Sequence, residues 1–177
     1  MSTAVVVGNP KPASRTLAAA THVARELTGA EPDLIVDLAT LGPAVLDWAD
    51  AGVAGLVEQV GSADLVVVAC PTYKGAYTGL LKLFLDRFAG GTGLRGLAVP
   101  LMLGGSPAHS LAPETTLRPV LTELGATVPG RALYVVDSQH DQPAAYEGWL
   151  EATRPVVTAL LAAHSPTLST SSRNGSR

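Results

Sequence analysis

Two short runs of apolar residues, at 4–7 and 65–68, contain no alternating polar residues. A strand with one face in water alternates apolar and polar side chains, whereas a strand covered on both faces is apolar throughout. Both runs are rich in valine, which favours extended structure. They therefore predict two buried strands of a parallel sheet with helices on both faces.

Further strands and helices complete the predicted architecture. Strands are predicted at residues 34–38, 97–103 and 131–136, and helices at 14–29, 53–60, 80–88, 111–124 and 144–163, with bends at Pro119 and Pro155. Strands that alternate with helices form parallel sheets. For this length we expect an α/β, flavodoxin-like three-layer fold with a five-stranded parallel sheet in the order 2-1-3-4-5.

The length and composition predict one domain. The chain has 177 residues, of which 47% are hydrophobic and 15% charged, and its net charge is −3. This charge provides no basic surface for nucleic acid or for a membrane, and the apolar runs are too short to cross a bilayer. We expect the domain to cover residues 1–163 and the Ser/Thr-rich residues 164–177 to form a disordered tail.

Cys70 is the only cysteine, so no intramolecular disulfide can form. A cytoplasmic location is therefore predicted, and residues 1–4 lack the basic segment of a signal peptide. Cys70 is expected to be a small buried hydrophobe rather than a nucleophile. No metal site is predicted, because the four histidines lack the spacing of metal ligands; they are His22, His109, His140 and His164.

The loop after the first predicted strand carries Ser14, Arg15 and Thr16 at the start of a helix. Free backbone N–H groups and the helix dipole favour an anion there, and the side chains add further donors. The loop is neither a Walker A sequence nor GxGxxG, which disfavours nucleotide hydrolysis and Rossmann-type dinucleotide binding. From this loop alone, the favoured interpretation is that Ser14 and Thr16 simply cap the helix, because such caps are common.

Two more loops follow the third and fourth predicted strands and would emerge at the same edge of the sheet. The second contains Pro71, Thr72, Tyr73, Lys74, Gly75, Ala76 and Tyr77, and the third contains Gly104, Gly105 and Ser106. Their glycines permit close approach of the backbone to a ligand, and the tyrosines could wall a flat ring such as a flavin. Packing of the tyrosines at a subunit interface is the alternative.

Helix 80–88 has apolar side chains in nearly every direction. Such a helix is buried on more than one face. One face would pack on the sheet and the other on a second subunit, so the helix favours an oligomer.

Taken together, three segments resemble the NADPH-dependent FMN reductase family, in particular the reductases of two-component alkanesulfonate monooxygenases. They are Gly8-Asn9-Pro10 with Ser14-Arg15-Thr16, the segment 71–82 (PTYKGAYTGLLK), and residues 104–109. The resemblance covers about residues 4–163. In the sulfonate-system reductases an aromatic residue often lies in the helix after the third loop, where this chain has Thr115 or a neighbour.

The resemblance implies FMN as cofactor or substrate and NADPH or NADH as hydride donor. It also implies a homodimer or homotetramer. By matching position, Ser14, Arg15 and Thr16 would contact the FMN phosphate, residues 71–77 would line the ring and ribityl chain, and residues 104–106 would meet the isoalloxazine. The hydride would pass from the nicotinamide to flavin N5, with no catalytic side chain required.

Reduced FMN would then supply a partner monooxygenase. Two alternatives stay open at this point. A tightly bound FMN could reduce a quinone, an azo dye or a metal oxyanion, or the protein could be a non-enzymatic flavodoxin-type electron carrier. The weak net charge disfavours the carrier, because such carriers use strong charge to steer their partners.

Overall fold

A computed structural model describes residues 1–164. Five parallel strands form one sheet in the order β2-β1-β3-β4-β5. They are β1 (Thr3–Val7), β2 (Leu34–Asp37), β3 (Leu65–Pro71), β4 (Leu97–Gly104) and β5 (Leu133–Val136). The predicted fold class and strand order are confirmed.

Five α-helices cover the sheet: α1 (Arg15–Thr28), α2 (Ala51–Ser62), α3 (Gly79–Leu85), α4 (Arg118–Glu123) and α5 (Ala144–His164). Alternate strand residues feed two apolar clusters. Val6, Val68 and Met102 pack with α2, α3 and α4 on one face, whereas Val5 and Val67 pack with α1 and α5 on the other. The absence of polar alternation in the sequence is thus explained, because both faces of the sheet are buried.

The predicted helix 111–124 is not continuous. A π-helical turn, Pro113–Leu117, precedes the short α4, and the N–H of Arg118 donates to the carbonyl of Pro113. Pro119 has no N–H with which to continue an α-helical ladder across this point. It therefore lies in the first turn of a short helix instead of bending a long one.

Some predicted boundaries also differ. β5 begins at Leu133 rather than at residue 131, and the backbone N–H of Ala132 donates to Glu114 Oε2 at 2.8 Å. α3 ends at Leu85 because the next turn tightens, with the N–H of Phe88 bonded to the carbonyl of Leu85. α5 extends to His164, and the rest of the predicted tail lies outside the described residues.

Thr78 joins the first strand to the third helix. Its hydroxyl donates to the carbonyl of Gly8 at 2.6 Å and accepts from the N–H of Leu81 at 3.2 Å, which caps α3. Gly8 packs so closely on α3 that an added Cβ would lie 2.4 Å from the Cβ of Leu81. The N–H of Gly8 also bonds the carbonyl of Ala69 at 2.8 Å. The ends of β1 and β3 are therefore held at a fixed distance from α3.

Cys70 lies in β3 and is fully buried, as predicted. Burial raises the pKa of its thiol to about 12, so the thiol is protonated near neutral pH. Among the described residues, no helix is long and apolar enough to cross a membrane.

We predict that Thr78→Val destabilises the fold by about 2 kcal/mol, because α3 loses its cap and the buried carbonyl of Gly8 loses its donor. Urea denaturation followed by circular dichroism would measure the change in the free energy of unfolding. Thr78→Ser is the matched control, since it keeps the hydroxyl and should lose well under half as much. Equal losses in both variants would contradict the hydrogen-bond explanation.

Candidate functional site

The carboxyl ends of β1, β3 and β4 and the start of α1 surround an open cleft of about 490 Å³. The cleft lies where β1 and β3 are neighbours and their following helices leave on opposite faces, which is the usual ligand position in such sheets. It is lined by Asn9, Lys11, Ala13, Ser14, Arg15, Pro71, Thr72, Tyr73, Leu103, Gly104, Gly105 and Asp137. The three predicted loops therefore meet at one site.

In the first loop, Ser14 caps α1, with its Oγ accepting from the N–H of Leu17 at 3.3 Å. The backbone N–H groups of Arg15 and Thr16 begin the helix and bond no acceptor within residues 1–164. Ala13 precedes them at a φ of 50°, and its N–H donates to Asp37 Oδ2 at 3.0 Å. The predicted capping role of Ser14 is confirmed, and it leaves N–H donors available for an anion.

Thr16 was predicted to bind a ligand, but it lies under the loop and does not line the cleft. Its buried hydroxyl accepts from Asn9 Nδ2 at 3.0 Å, and Asn9 Oδ1 in turn accepts from the N–H of Lys11 at 2.9 Å. Thr16 therefore shapes the loop through its contact with Asn9 rather than by facing the cleft.

Arg15 forms an ion pair with Asp137, which follows β5. Arg15 Nη1 lies 2.5 Å from Asp137 Oδ2. Asp137 was not among the predicted binding residues, although it comes directly after a predicted strand. Four further lining residues were also not predicted to bind a ligand. Their position within or beside the predicted loops is the feature of the sequence that could have indicated them; they are Asn9, Lys11, Ala13 and Leu103.

The second loop contains a tight turn in which Tyr73 and Ala76 exchange backbone hydrogen bonds of 2.9 and 3.1 Å. Lys74 and Gly75 occupy its centre at φ values of 54° and 80°, as a type I′ turn requires. Tyr73 is 53% exposed and lines the cleft. Four predicted binding residues of this loop, Lys74, Gly75, Ala76 and Tyr77, lie outside the lining.

The Thr72 hydroxyl is buried in the cleft wall and has no hydrogen-bond partner within the described part of the chain. Buried hydroxyls are normally paired. Burial raises the pKa of the neighbouring Tyr134 phenol, and the Thr72 hydroxyl offsets part of that rise, although the two do not meet hydrogen-bond geometry. A ligand with a polar edge would therefore satisfy Thr72.

The third loop presents backbone rather than side chains. Tyr134 stands so close to Gly104 that an added Cβ would lie 1.9 Å from its hydroxyl oxygen. That hydroxyl donates to the carbonyl of Ser106 at 2.6 Å. Gly104 and Gly105 line the cleft, whereas Ser106 does not. Within residues 1–164 no cluster of three metal-ligating side chains occurs.

Taken together, the cleft offers helix N–H groups and two cations at one end, Lys11 and Arg15. Its walls offer an unpaired hydroxyl, at Thr72, and glycine backbone, at Gly104 and Gly105. This arrangement suits a ligand with an anionic end and a flat polar ring. Among the described residues, no His or Cys side chain lines it.

The sequence was compared with known proteins. Residues 1–141 match the NADPH-dependent FMN reductase family. The chain is 31% identical over 143 residues to the FMN reductase (NADPH) of Escherichia coli (strain K12), covering 78% of this chain and 75% of that protein. It is 34% identical over 97 residues to the NADH-dependent FMN reductase SfnF of Pseudomonas putida, covering 54% and 52%.

Solved structures agree with this result. The apo form of the NADH:FMN oxidoreductase EMOB is similar, with a TM-score of 0.80, 30% identity, and coverage of 96% of this chain and 92% of that one. An oxidoreductase from Corynebacterium diphtheriae shares the fold, with a TM-score of 0.70, 21% identity, and coverage of 92% and 96%. With the family match extending over most of the chain, the protein belongs to the NADPH-dependent FMN reductase family.

Proposed function

We propose that this protein is an oxidoreductase that oxidises NADPH or NADH and reduces FMN. The observation that carries the proposal is the cleft itself, in which the start of α1 and the glycine backbone of β4 face each other in a chain of this family. FMN, when bound, supplies the ring that accepts a hydride from the nicotinamide. The protein supplies binding and orientation.

The cleft residues fit FMN in chemistry. The backbone N–H of Arg15 at the start of α1 and the cations of Lys11 and Arg15 would hold the phosphate. The unpaired hydroxyl of Thr72 would meet the polar edge of the flavin. Gly104 and Gly105 lack side chains and would let the ring approach the backbone, with Tyr73 as one wall.

We further propose that reduced FMN leaves the open cleft and supplies a flavin-dependent monooxygenase. The open shape of the cleft supports exchange of the flavin. A cytoplasmic location also stays a prediction, supported by the single, buried cysteine.

The homo-oligomer predicted from residues 80–88 is proposed here as well. Within α3, Leu81, Phe84 and Leu85 are buried against the sheet, but Leu83 is 40% exposed. The neighbouring Trp48 is largely exposed too, with the guanidinium of Arg87 lying 5.7 Å from its ring centroid. Apolar exposure of this kind supports a subunit contact on this face.

We expect NADPH or NADH oxidation by the purified protein to rise and saturate as FMN is added, because FMN would bind and leave in each cycle. Absorbance at 340 nm measures this rate. Activity that needs only a quinone or dye, with FMN retained through gel filtration, would indicate the bound-flavin alternative. Retained FMN without oxidation of either nucleotide would leave only the electron carrier.

We predict opposite effects of Thr72→Val on stability and on FMN binding. Loss of an unpaired buried hydroxyl should stabilise the flavin-free protein by about 1 kcal/mol. FMN should bind about three- to tenfold more weakly, since one hydrogen bond is lost. Thermal denaturation and flavin fluorescence measure the two effects, and Thr72→Ser should change neither much. Unchanged FMN affinity in Thr72→Val would remove Thr72 from the binding site.

We expect Leu83→Glu to shift the protein to a smaller species in light scattering coupled to gel filtration, because a charge would be buried at the subunit contact. Val156→Glu is the matched control. Val156 is 44% exposed on α5, which lies on the opposite face of the sheet. A smaller species in both variants, or in neither, would count against a contact through α3.

A further inference from the structure

We propose that Asp137 is a fixed negative charge at the phosphate end of the cleft, and that it weakens FMN binding so that the flavin exchanges readily. This inference rests on the proposed binding of FMN in the cleft. It assigns a role to a residue that the sequence motifs did not include.

Asp137 and Arg15 are distant in sequence and adjacent in space. Arg15 begins α1, whereas Asp137 follows β5, and both line the cleft. Arg15 Nη1 lies 2.5 Å from Asp137 Oδ2, with the two side chains 60% and 41% exposed. An ion pair as exposed as this contributes little to stability. Its position in the cleft therefore matters more for binding than for folding.

The turn that carries Asp137 is held in place by hydrogen bonds that lead through His140 to Tyr146. The backbone carbonyl of Asp137 lies 3.1 Å from His140 Nδ1, and the carbonyl of His140 accepts from the Tyr146 hydroxyl at 2.5 Å. Tyr146 lies in the first turn of α5 and is 1% exposed, and its ring also contacts that of His22 edge-on. Because a core tyrosine anchors this turn, the Asp137 backbone cannot easily move away from an incoming anion.

The charges at this end of the cleft do not add up to a strong anion site. Lys11 and Arg15 are cationic, but the Asp137 carboxylate cancels one of these charges. A phosphate monoester carries about −1.5 to −2 charges at pH 7. The phosphate must therefore share Arg15 with Asp137 or displace Asp137 from Arg15. In either case the Asp137 carboxylate repels the phosphate.

A competing role predicts the opposite result. If Asp137 served to aim Arg15 at the phosphate, its removal would weaken FMN binding. If it competes with the phosphate, its removal strengthens FMN binding. Riboflavin has the same ring without the phosphate, so its affinity reports on the rest of the cleft.

The test is the dissociation constant of FMN and of riboflavin for the whole chain, measured by quenching of flavin fluorescence. We expect Asp137→Asn to tighten FMN binding by about three- to tenfold at low salt, with less change at high salt. Riboflavin affinity should not change. Asp137→Glu should restore wild-type affinity, because it restores the charge.

Asp141→Asn is the control for net charge. Asp141 is 72% exposed, lies on the neighbouring turn and does not line the cleft. It should leave both affinities unchanged.

Weaker or unchanged FMN binding in Asp137→Asn would overturn the inference, as would equal tightening of riboflavin. Equal tightening in Asp141→Asn would also overturn it. If the wild-type chain bound neither flavin, the proposed function itself would fail, and this inference with it.

Discussion

The contact between the Thr78 hydroxyl and the carbonyl of Gly8 determines how the site is built. A parallel sheet places its strand ends at one edge, but it does not fix the loops beyond them. Here the Thr78 side chain caps α3 and binds the carbonyl that follows β1. Gly8 has no side chain, which allows α3 to pack directly against it. The first and second loops are therefore anchored to each other through this contact.

The loops around the cleft contain several features that local chemistry disfavours. Ala13 and Lys74 have positive φ values, and Thr72 holds an unpaired buried hydroxyl. Features of this kind persist where the surrounding structure imposes them, and they concentrate at functional sites. The buried β strands and the Tyr146 anchor provide that support, so the loops are arranged before a ligand arrives.

The sequence predicted the sheet and the three loops because runs such as 65–68 and caps such as Ser14 are local patterns. It did not predict Asp137, whose role depends on an ion pair across 122 positions. It also placed Thr16 in the cleft, because a helix N-terminus in sequence does not show which hydroxyl faces inward. The π-helical turn before α4 lies between Pro113 and Pro119, neither of which has an N–H for the helical hydrogen bonds. The spacing of apolar residues does not reveal such a turn.

The close approach of Tyr134 to Gly104 makes these two positions a single unit for anyone who redesigns the cleft. The phenol occupies the volume that a side chain at position 104 would need, and its hydroxyl holds the third loop through Ser106. A library that varies position 104 alone would sample mostly clashes. One that pairs larger residues at 104 with smaller ones at 134 would relieve the clash, and would change which ring systems the cleft can accept.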